Sequence, residues 1–374
     1  MRFLLSGGGT AGHIYPALTV ASLLAGGARD DVLFVGTPDG LEARLVPEAG
    51  VAFEPLSSAG FDRGSPLTLV TSSVKVLVSA VRAWRLVGRY SPDVVVGFGG
   101  YVSLPVGLAA VVRRVPLVIH EQNSVPGLAN RVLSRWAKAA GVTYESSVKH
   151  LAHPERAIVT GNPVRDGITR STREAGRRLL GIDPGALVLL VFGGSRGARR
   201  LNDAVVRLWP KLAEIPSLHV LHVTGGIDAG RVSEMMAQTL QGGTGRYQAY
   251  EYLDDMGGAL AAADLVVARA GATSIAEITA IGRASVLVPY PYATDDHQTL
   301  NARAVAANGA AVVISDAEVE TETFEKAVLS LLLDEKKRQL MATAAAALGR
   351  PDAGRRVADL VRGVVVGHES EETR

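Results

Sequence analysis

Ser6-Gly7-Gly8-Gly9-Thr10-Ala11-Gly12-His13 follows the apolar run Arg2–Leu5, and Phe192-Gly193-Gly194-Ser195-Arg196-Gly197-Ala198 follows the apolar run Leu187–Val191. The two stretches stand 186 positions apart, and each leads into a segment with helical spacing. Glycines at a strand-to-helix turn let backbone N–H groups approach a phosphate, and the helix N-terminus adds partial positive charge. One such loop says little. Two of them, opening similar halves, predict an α/β chain of two Rossmann-like domains whose parallel sheets face each other across a cleft holding a phosphorylated ligand.

The rest of the chain fits that plan. Apolar runs predict strands at Arg2–Ser6, Val32–Gly36, Phe53–Leu56, Val94–Gly97, Leu117–His120, Ala140–Val142 and Ala157–Thr160. The second half repeats them at Leu187–Phe192, Val220–Thr224, Tyr247–Glu251, Leu265–Ala268, Ser285–Val288 and Ala311–Ile314. Helical spacing lies between them, at Leu201–Leu212, Arg231–Leu240, Met256–Ala262, Ser274–Ile281 and Gln298–Asn308. Val-rich strands alternating with helices indicate parallel sheets covered on both faces. Thr160-Gly161-Asn162-Pro163-Val164-Arg165 breaks regular structure and marks a boundary. The expected division is residues 1–163, residues 164–350, a C-terminal helix over 351–367 that packs back on the first domain, and a disordered tail at 368–374.

Composition narrows the function. At 374 residues the chain suits two domains of ~100–200 residues each. It has no cysteine, which excludes disulfides, thiolate metal sites and a cysteine nucleophile. Phe3-Leu4-Leu5 is too short for the apolar core of a signal peptide, so a reducing cytosol is the expected compartment. The net charge of +2 is unevenly spread: residues 61–140 carry ten Lys/Arg against three Asp/Glu. Inside that block, Leu67–Tyr90 sets Lys75, Arg82, Arg85 and Arg89 at helical spacing among Val and Leu. Such a face either is solvated over an ordinary core or rests on an anionic bilayer. No run reaches the ~20 apolar residues that span a membrane, and no nucleic-acid partner is expected.

Seven motifs make the reading specific. In order they are the first glycine loop, Gly99-Gly100-Tyr101, His120-Glu121-Gln122-Asn123, the Thr160–Arg165 boundary, the second glycine loop, Arg269-Ala270-Gly271-Ala272 and Asp296-His297-Gln298. Together they resemble the MurG family, glycosyltransferases of the GT-B fold that move N-acetylglucosamine from its UDP donor to lipid I. The resemblance covers nearly the whole chain. It implies an inverting transferase at the cytoplasmic face of the cell membrane, with UDP-N-acetylglucosamine, lipid I, an anionic membrane surface and other cell-wall synthesis proteins as partners. It implies no cofactor and no metal. The sequence agrees on the last point, because it contains no Asp-x-Asp; Asp254-Asp255 and Asp295-Asp296 are adjacent pairs.

Transfer needs a base for the attacking hydroxyl and stabilisation of the departing diphosphate. His13 matches the family's proposed general base, and a neutral imidazole suits that task near pH 7; it could instead cap the loop, and Glu121 could serve in its place. His120-Glu121-Gln122-Asn123 ends a strand, the edge where open α/β sheets bind ligands. By resemblance, Asn123 contacts the donor, and Tyr101, His120 and Glu121 line the acceptor cleft. Thr10, Ala11 and Gly12 match nucleotide-sugar positions, where the family usually has Gly in place of Ala11. Arg165 is a cation for the diphosphate or a surface ion pair, and Ser195 can donate to a phosphate. Arg196 replaces the family's Gln. Ala272, Thr273 and Ser274 match the donor site, and Leu253 lies by the uracil. Ser274-Ile275-Ala276-Glu277 reads as a capping box, whereas in the family the glutamate holds the ribose. Gln298 matches a donor-sugar contact, with His297 replacing a neighbouring glutamine.

Other readings keep the fold and change the outcome: a UDP-sugar 2-epimerase, another glycolipid synthase, or a nucleotide-sugar-binding module without activity. A dehydrogenase is disfavoured. Gly7, Gly9 and Gly12 have the bare dinucleotide spacing, but Asp30 and Asp31 precede the second strand instead of ending it.

Overall fold

The computed structural model describes residues 1–27, 30–57, 66–194, 197–239 and 244–372. The chain divides into two compact units, Met1–Arg165 with Asp352–Arg374, and Asp166–Pro351.

The first unit is built on strands β1 (Arg2–Ser6), β2 (Asp31–Gly36), β3 (Ala52–Pro55), β4 (Val94–Gly97), β5 (Leu117–Glu121), β6 (Ala139–Val142) and β7 (Ala157–Val159). They form one sheet in the order β3-β2-β1-β4-β5-β6-β7, and every pairing is parallel. Its helices are α1 (Ala11–Leu24), α2 (Glu42–Glu48), α3 (Pro66–Tyr90), α4 (Ser103–Val112), α5 (Leu128–Leu133) and α6 (Glu145–Val148). Side chains alternate across the sheet. Leu4, Val35, Val95 and Ile119 pack with α3 and α4 on one face, whereas Phe3, Leu5, Phe34, Val96 and Val118 pack with α1 on the other. Burial on both faces is why these strands read as continuous apolar runs.

The second unit repeats the plan with β8 (Leu187–Phe192), β9 (Leu218–Val223), β10 (Arg246–Tyr250), β11 (Leu265–Arg269), β12 (Ala284–Val288) and β13 (Val312–Val313), ordered β10-β9-β8-β11-β12-β13 and again parallel. Its helices are α7 (Asp166–Thr169), α8 (Arg173–Leu179), α9 (Arg199–Leu212), α10 (Ala229–Thr239), α11 (Met256–Ala262), α12 (Ala272–Ile281), α13 (His297–Ala306), α14 (Glu322–Leu333) and α15 (Glu335–Leu348). In both sheets the strand order reverses beside the first strand of the unit, between β1 and β4 and between β8 and β11. The glycine loops leave β1 and β8 at those switch points, where a crevice opens outside the strand ends.

The last helix, α16 (Ala353–Glu372), returns to the first unit, and its Val357, Val361 and Val365 complete the core beside α1. The helix runs on to Glu372, and nothing after Gly367 is a proline or glycine that would stop it. Residues 373 and 374 lie outside the described residues.

Candidate functional site

The first glycine loop is short because α1 starts at once. Thr10 is the N-cap in extended conformation, and Ala11, Gly12 and His13 are the first three helical residues. The N–H groups of Ala11 and Gly12 belong to the turn that has no intrahelical acceptor, while the His13 N–H donates to the Thr10 carbonyl at 3.1 Å. His13 is half-buried, and its Nδ1 lies 2.9 Å from the Gly8 carbonyl. A carbonyl only accepts, so Nδ1 carries the proton and Nε2 keeps a lone pair. The Thr10 hydroxyl lies 3.4 Å from the same Nδ1. Gly100 takes φ +80° and passes so close that a Cβ would stand 2.5 Å from the Gly8 oxygen. The Ser103 hydroxyl donates to Ser6 and Gly99 carbonyls at 2.9 and 2.7 Å, which pins the two loops together. Tyr101 follows directly and is 65% exposed.

His120 and Glu121 end β5 and are both buried. His120 is fully buried: its Nε2–H donates to the Gly161 carbonyl at 3.0 Å, and its Nδ1 accepts from the Gln122 amide at 3.1 Å. Burial pushes its pKa down to about 4, so it is neutral at working pH. It ties the strand end to the boundary segment. Glu121 is 2% exposed. Its Oε1 accepts from the Asn123 backbone and side chain at 2.9 and 3.3 Å, and its Oε2 from the Gly127 N–H and Asn130 amide at 3.2 and 2.8 Å. It shapes the turn that presents Asn123, which is half-buried. Arg165 lies over the Tyr15 ring, 4.2 Å from its centroid, so α1 steadies it.

In the second unit, Ser195 and Arg196 lie outside the described residues. The loop around them is held from below. Gly197 has φ +75°, and a Cβ there would meet the Thr224 carbonyl at 2.3 Å. That carbonyl accepts from the Asn202 amide at 3.0 Å. Asn202 in turn accepts from His222 Nε2 at 3.0 Å, and the Tyr247 hydroxyl meets His222 Nδ1 at 2.6 Å. Burial pushes the His222 pKa down to about 3. Sequence reasoning singled out neither Asn202 nor His222, since isolated polar residues in apolar runs give no motif.

Gly271 is the N-cap of α12, so Ser274 is the third helical residue and the capping-box alternative fails. Ala272 and Glu277 are buried, at 6% and 5% exposure. The shielded Thr273 hydroxyl has no hydrogen-bond partner among the described residues. Gln298 accepts from the Tyr290 N–H at 2.9 Å, and His297 Nδ1 donates to the Thr294 carbonyl at 2.7 Å. Just before them Asp295 and Asp296 take φ +52° and +50°, a conformation non-glycine residues adopt at a cost of order 1–3 kcal/mol. Leu253 is buried in the turn ahead of α11.

One outer surface stands apart. On α3, Ser79, Ala83, Leu86 and Val87 are buried, while Val78, Val81, Arg82, Arg85 and Arg89 share the opposite, exposed arc. Trp84, at its edge, is 45% exposed, and the Arg113 guanidinium stacks 4.0 Å over its ring. Lys75 lies outside the residues whose side chains are described. Among the described residues, no helix is long and apolar enough to cross a membrane.

Comparison with known proteins agrees with this geometry. The glycosyltransferase family 28 N-terminal domain matches residues 3–142, and the family's C-terminal domain matches residues 188–357. A UDP-N-acetylglucosamine--N-acetylmuramyl-(pentapeptide) pyrophosphoryl-undecaprenol N-acetylglucosamine transferase of Desulforudis audaxviator (strain MP104C) is 42% identical over 366 residues, covering 96% of this chain and 98% of the relative. The protein of the same name from Desulfitobacterium hafniense (strain Y51) is 41% identical over 355 residues, covering 94% and 96%. The crystal structure of Acinetobacter baumannii MurG superposes with a TM-score of 0.77 at 30% identity, covering 97% of this chain and 99% of that one. With two Rossmann-like units, both family domains in order and relatives aligned end to end, this chain belongs to glycosyltransferase family 28.

Proposed function

We propose that this chain transfers N-acetylglucosamine from UDP-N-acetylglucosamine to the muramyl 4-hydroxyl of lipid I, forming lipid II for peptidoglycan synthesis. The observation that carries the chemistry is the His13 tautomer. Its Nδ1–H is committed to the Gly8 carbonyl, so Nε2 is the atom that accepts the hydroxyl proton. The acceptor oxygen bonds to the anomeric carbon from the side opposite UDP. The bond from that carbon to the β-phosphate oxygen breaks, and its electron pair leaves with UDP. The N–H groups opening α9 meet the departing charge. Glu277, Thr273 and Gln298 bind ribose and sugar hydroxyls, and Leu253 packs by the uracil. Asn123 touches the donor, and Tyr101 the acceptor.

The exposed arc of α3, with Trp84 and Arg113, docks on the anionic cytoplasmic face of the membrane, where the polyprenyl tail of lipid I resides. Each basic residue near such a surface contributes about 1 kcal/mol. The protein is then peripheral.

The test is incubation with radiolabelled UDP-N-acetylglucosamine and a lipid I analogue, with and without EDTA. Label should enter the lipid fraction in both. Label remaining as nucleotide-sugar, or recovered as an epimer, would sink the transferase reading.

A further inference from the structure

Glu42 is the first residue of α2, yet its side chain is fully buried and reaches back to the first glycine loop. Its Oε1 accepts from the Thr37 N–H at 2.9 Å and the Thr37 hydroxyl at 2.6 Å, and its Oε2 accepts from the Gly9 N–H at 3.4 Å. Every one of these partners donates, the pattern that suits a carboxylate and not an amide. Three glycines clear the space around it. A Cβ would stand 2.2 Å from Oε1 at Gly8, 2.4 Å from Cγ at Gly36 and 2.4 Å from Oε2 at Gly40. Among the described residues no cation pairs with Glu42. A buried carboxylate without a counter-charge is costly unless donors fill its lone pairs, so its presence at this place calls for a task.

The task follows from what Glu42 presses against. Gly8 has Glu42 on one side. On the other, its carbonyl accepts from His13 Nδ1 at 2.9 Å and abuts Gly100. We propose that Glu42 is a positioning residue for glycosyl transfer: it fixes the Gly8–Gly9 peptide so that the Gly8 carbonyl holds His13 as the Nδ1–H tautomer and leaves Nε2 open to the acceptor hydroxyl. This rests on His13 being the base.

Glu42→Gln keeps the shape but turns an NH₂ toward either Gly9 or Thr37, both of which already donate. Steady-state kinetics would use UDP-N-acetylglucosamine and a soluble lipid I analogue, on E42Q, H13A and the double variant. E42Q should lower kcat about tenfold to a hundredfold, the range seen when a supporting residue behind a reactive one is lost. The KM for UDP-N-acetylglucosamine should stay within about twofold, and the acid limb of the kcat–pH profile should move. Added to H13A, E42Q should cost nothing more. Thr37→Val, which removes one donor to the carboxylate, should shift kcat and its pH profile the same way but less, and takes the place of E42Q in the cycle if E42Q does not fold. Wild-type kcat in E42Q, or the same loss in both backgrounds, overturns the role of Glu42 and leaves the base assignment standing. Wild-type kcat in H13A overturns the base assignment and this inference with it, and the single variant alone reveals that.

Discussion

The two units repeat one strand order and end their first strands in glycines at the switch point, but they support those glycines differently. Behind the first loop stands a buried carboxylate, Glu42, contributed by a helix two elements later. Behind the second stands a chain of amide, imidazole and phenol, in which Asn202, from the very helix the loop opens, also donates to the buried Asp228 carboxylate at 3.0 Å, and Arg231 pairs with that carboxylate at 3.0 Å. The helix starts differ too. The first turn of α1 carries His13 and no full charge, whereas α9 opens with Arg199 and Arg200 and no acid. Cations at a helix N-terminus oppose the dipole unless an anion joins them, and Arg200 is joined by Asp316 and Glu320 at 3.2 and 3.1 Å. One scaffold thus carries two kinds of helix start, one holding an imidazole and one holding a paired arginine.

The sharpest way to break that contrast is kinetic. His13→Ala should lower kcat by about 10²–10⁴, with donor KM within about threefold. Glu277→Ala should do the reverse, raising donor KM about tenfold or more while kcat changes little. Steady-state constants for both variants decide it; exchange of the two effects would mean the roles of the units are misassigned.

Glycine substitutions separate support from strain. Gly197→Ala faces both a positive φ and the Thr224 carbonyl at 2.3 Å, so the backbone must move. We expect a loss of about 2–4 kcal/mol together with weaker UDP binding. Gly9→Ala meets the same sign of φ, +83°, but nothing within 4 Å. It should cost only about 1–2 kcal/mol. Urea denaturation compares them, and equal losses would remove the special place of Thr224.

The buried histidines give each unit a pH signature. His120 and His222 have folded pKa values lowered by desolvation to about 4 and about 3. The unfolded chain takes up these protons first, so stability is complete above about pH 6.5 and falls as pH drops through the folded values. Between pH 7 and 5 each histidine should cost about 2 kcal/mol. Urea midpoints at the two pH values measure this, and His222→Gln should flatten its share of the slope; an unchanged slope would mean the imidazole is not desolvated.

How much of this was legible depends on range in sequence. Arg2–Ser6, Val94–Gly97 and Leu187–Phe192 were read residue for residue, because strands buried on both faces write themselves as apolar runs. Strand ends such as Leu218 and Glu121 were missed by a residue or two, since pairing and not composition decides them. The helices α14 and α15 were not singled out at all. His13 was legible as part of its motif. His120 and Glu121 are legible as part of a run of four polar residues, but their burial is not, because Gly161 and Asn130, which bond to them, lie 41 and 9 positions away. Glu42 was invisible: its partner Gly9 is 33 positions away, and nothing local distinguishes it from any acid opening a helix.

The smallest expected effect concerns the outer surfaces, where both units expose large apolar side chains. Trp84 and Val112 in the first unit are 45% and 71% exposed, and Leu333 and Leu340 in the second are 70% and 74% exposed. Exposure alone means little, because single apolar residues on a surface are ordinary. The difference lies in the neighbours. Trp84 sits with Arg82, Arg85 and Arg113, and the stacked guanidinium holds the indole at the surface, where an apolar ring and a cation can meet headgroups together. Leu340 on α15 has Lys336 and Lys337 one turn before it but carries no aromatic ring for a guanidinium to stack on. Trp84→Glu removes the ring and adds a repelled charge, so it should weaken binding to anionic vesicles about tenfold, near 1.4 kcal/mol. Leu340→Glu should leave vesicle binding unchanged, and both variants should turn over a soluble acceptor at the wild-type rate. Vesicle sedimentation at matched salt reads the difference. Equal binding by the two variants would mean that the Trp84 arc has no special claim on the membrane.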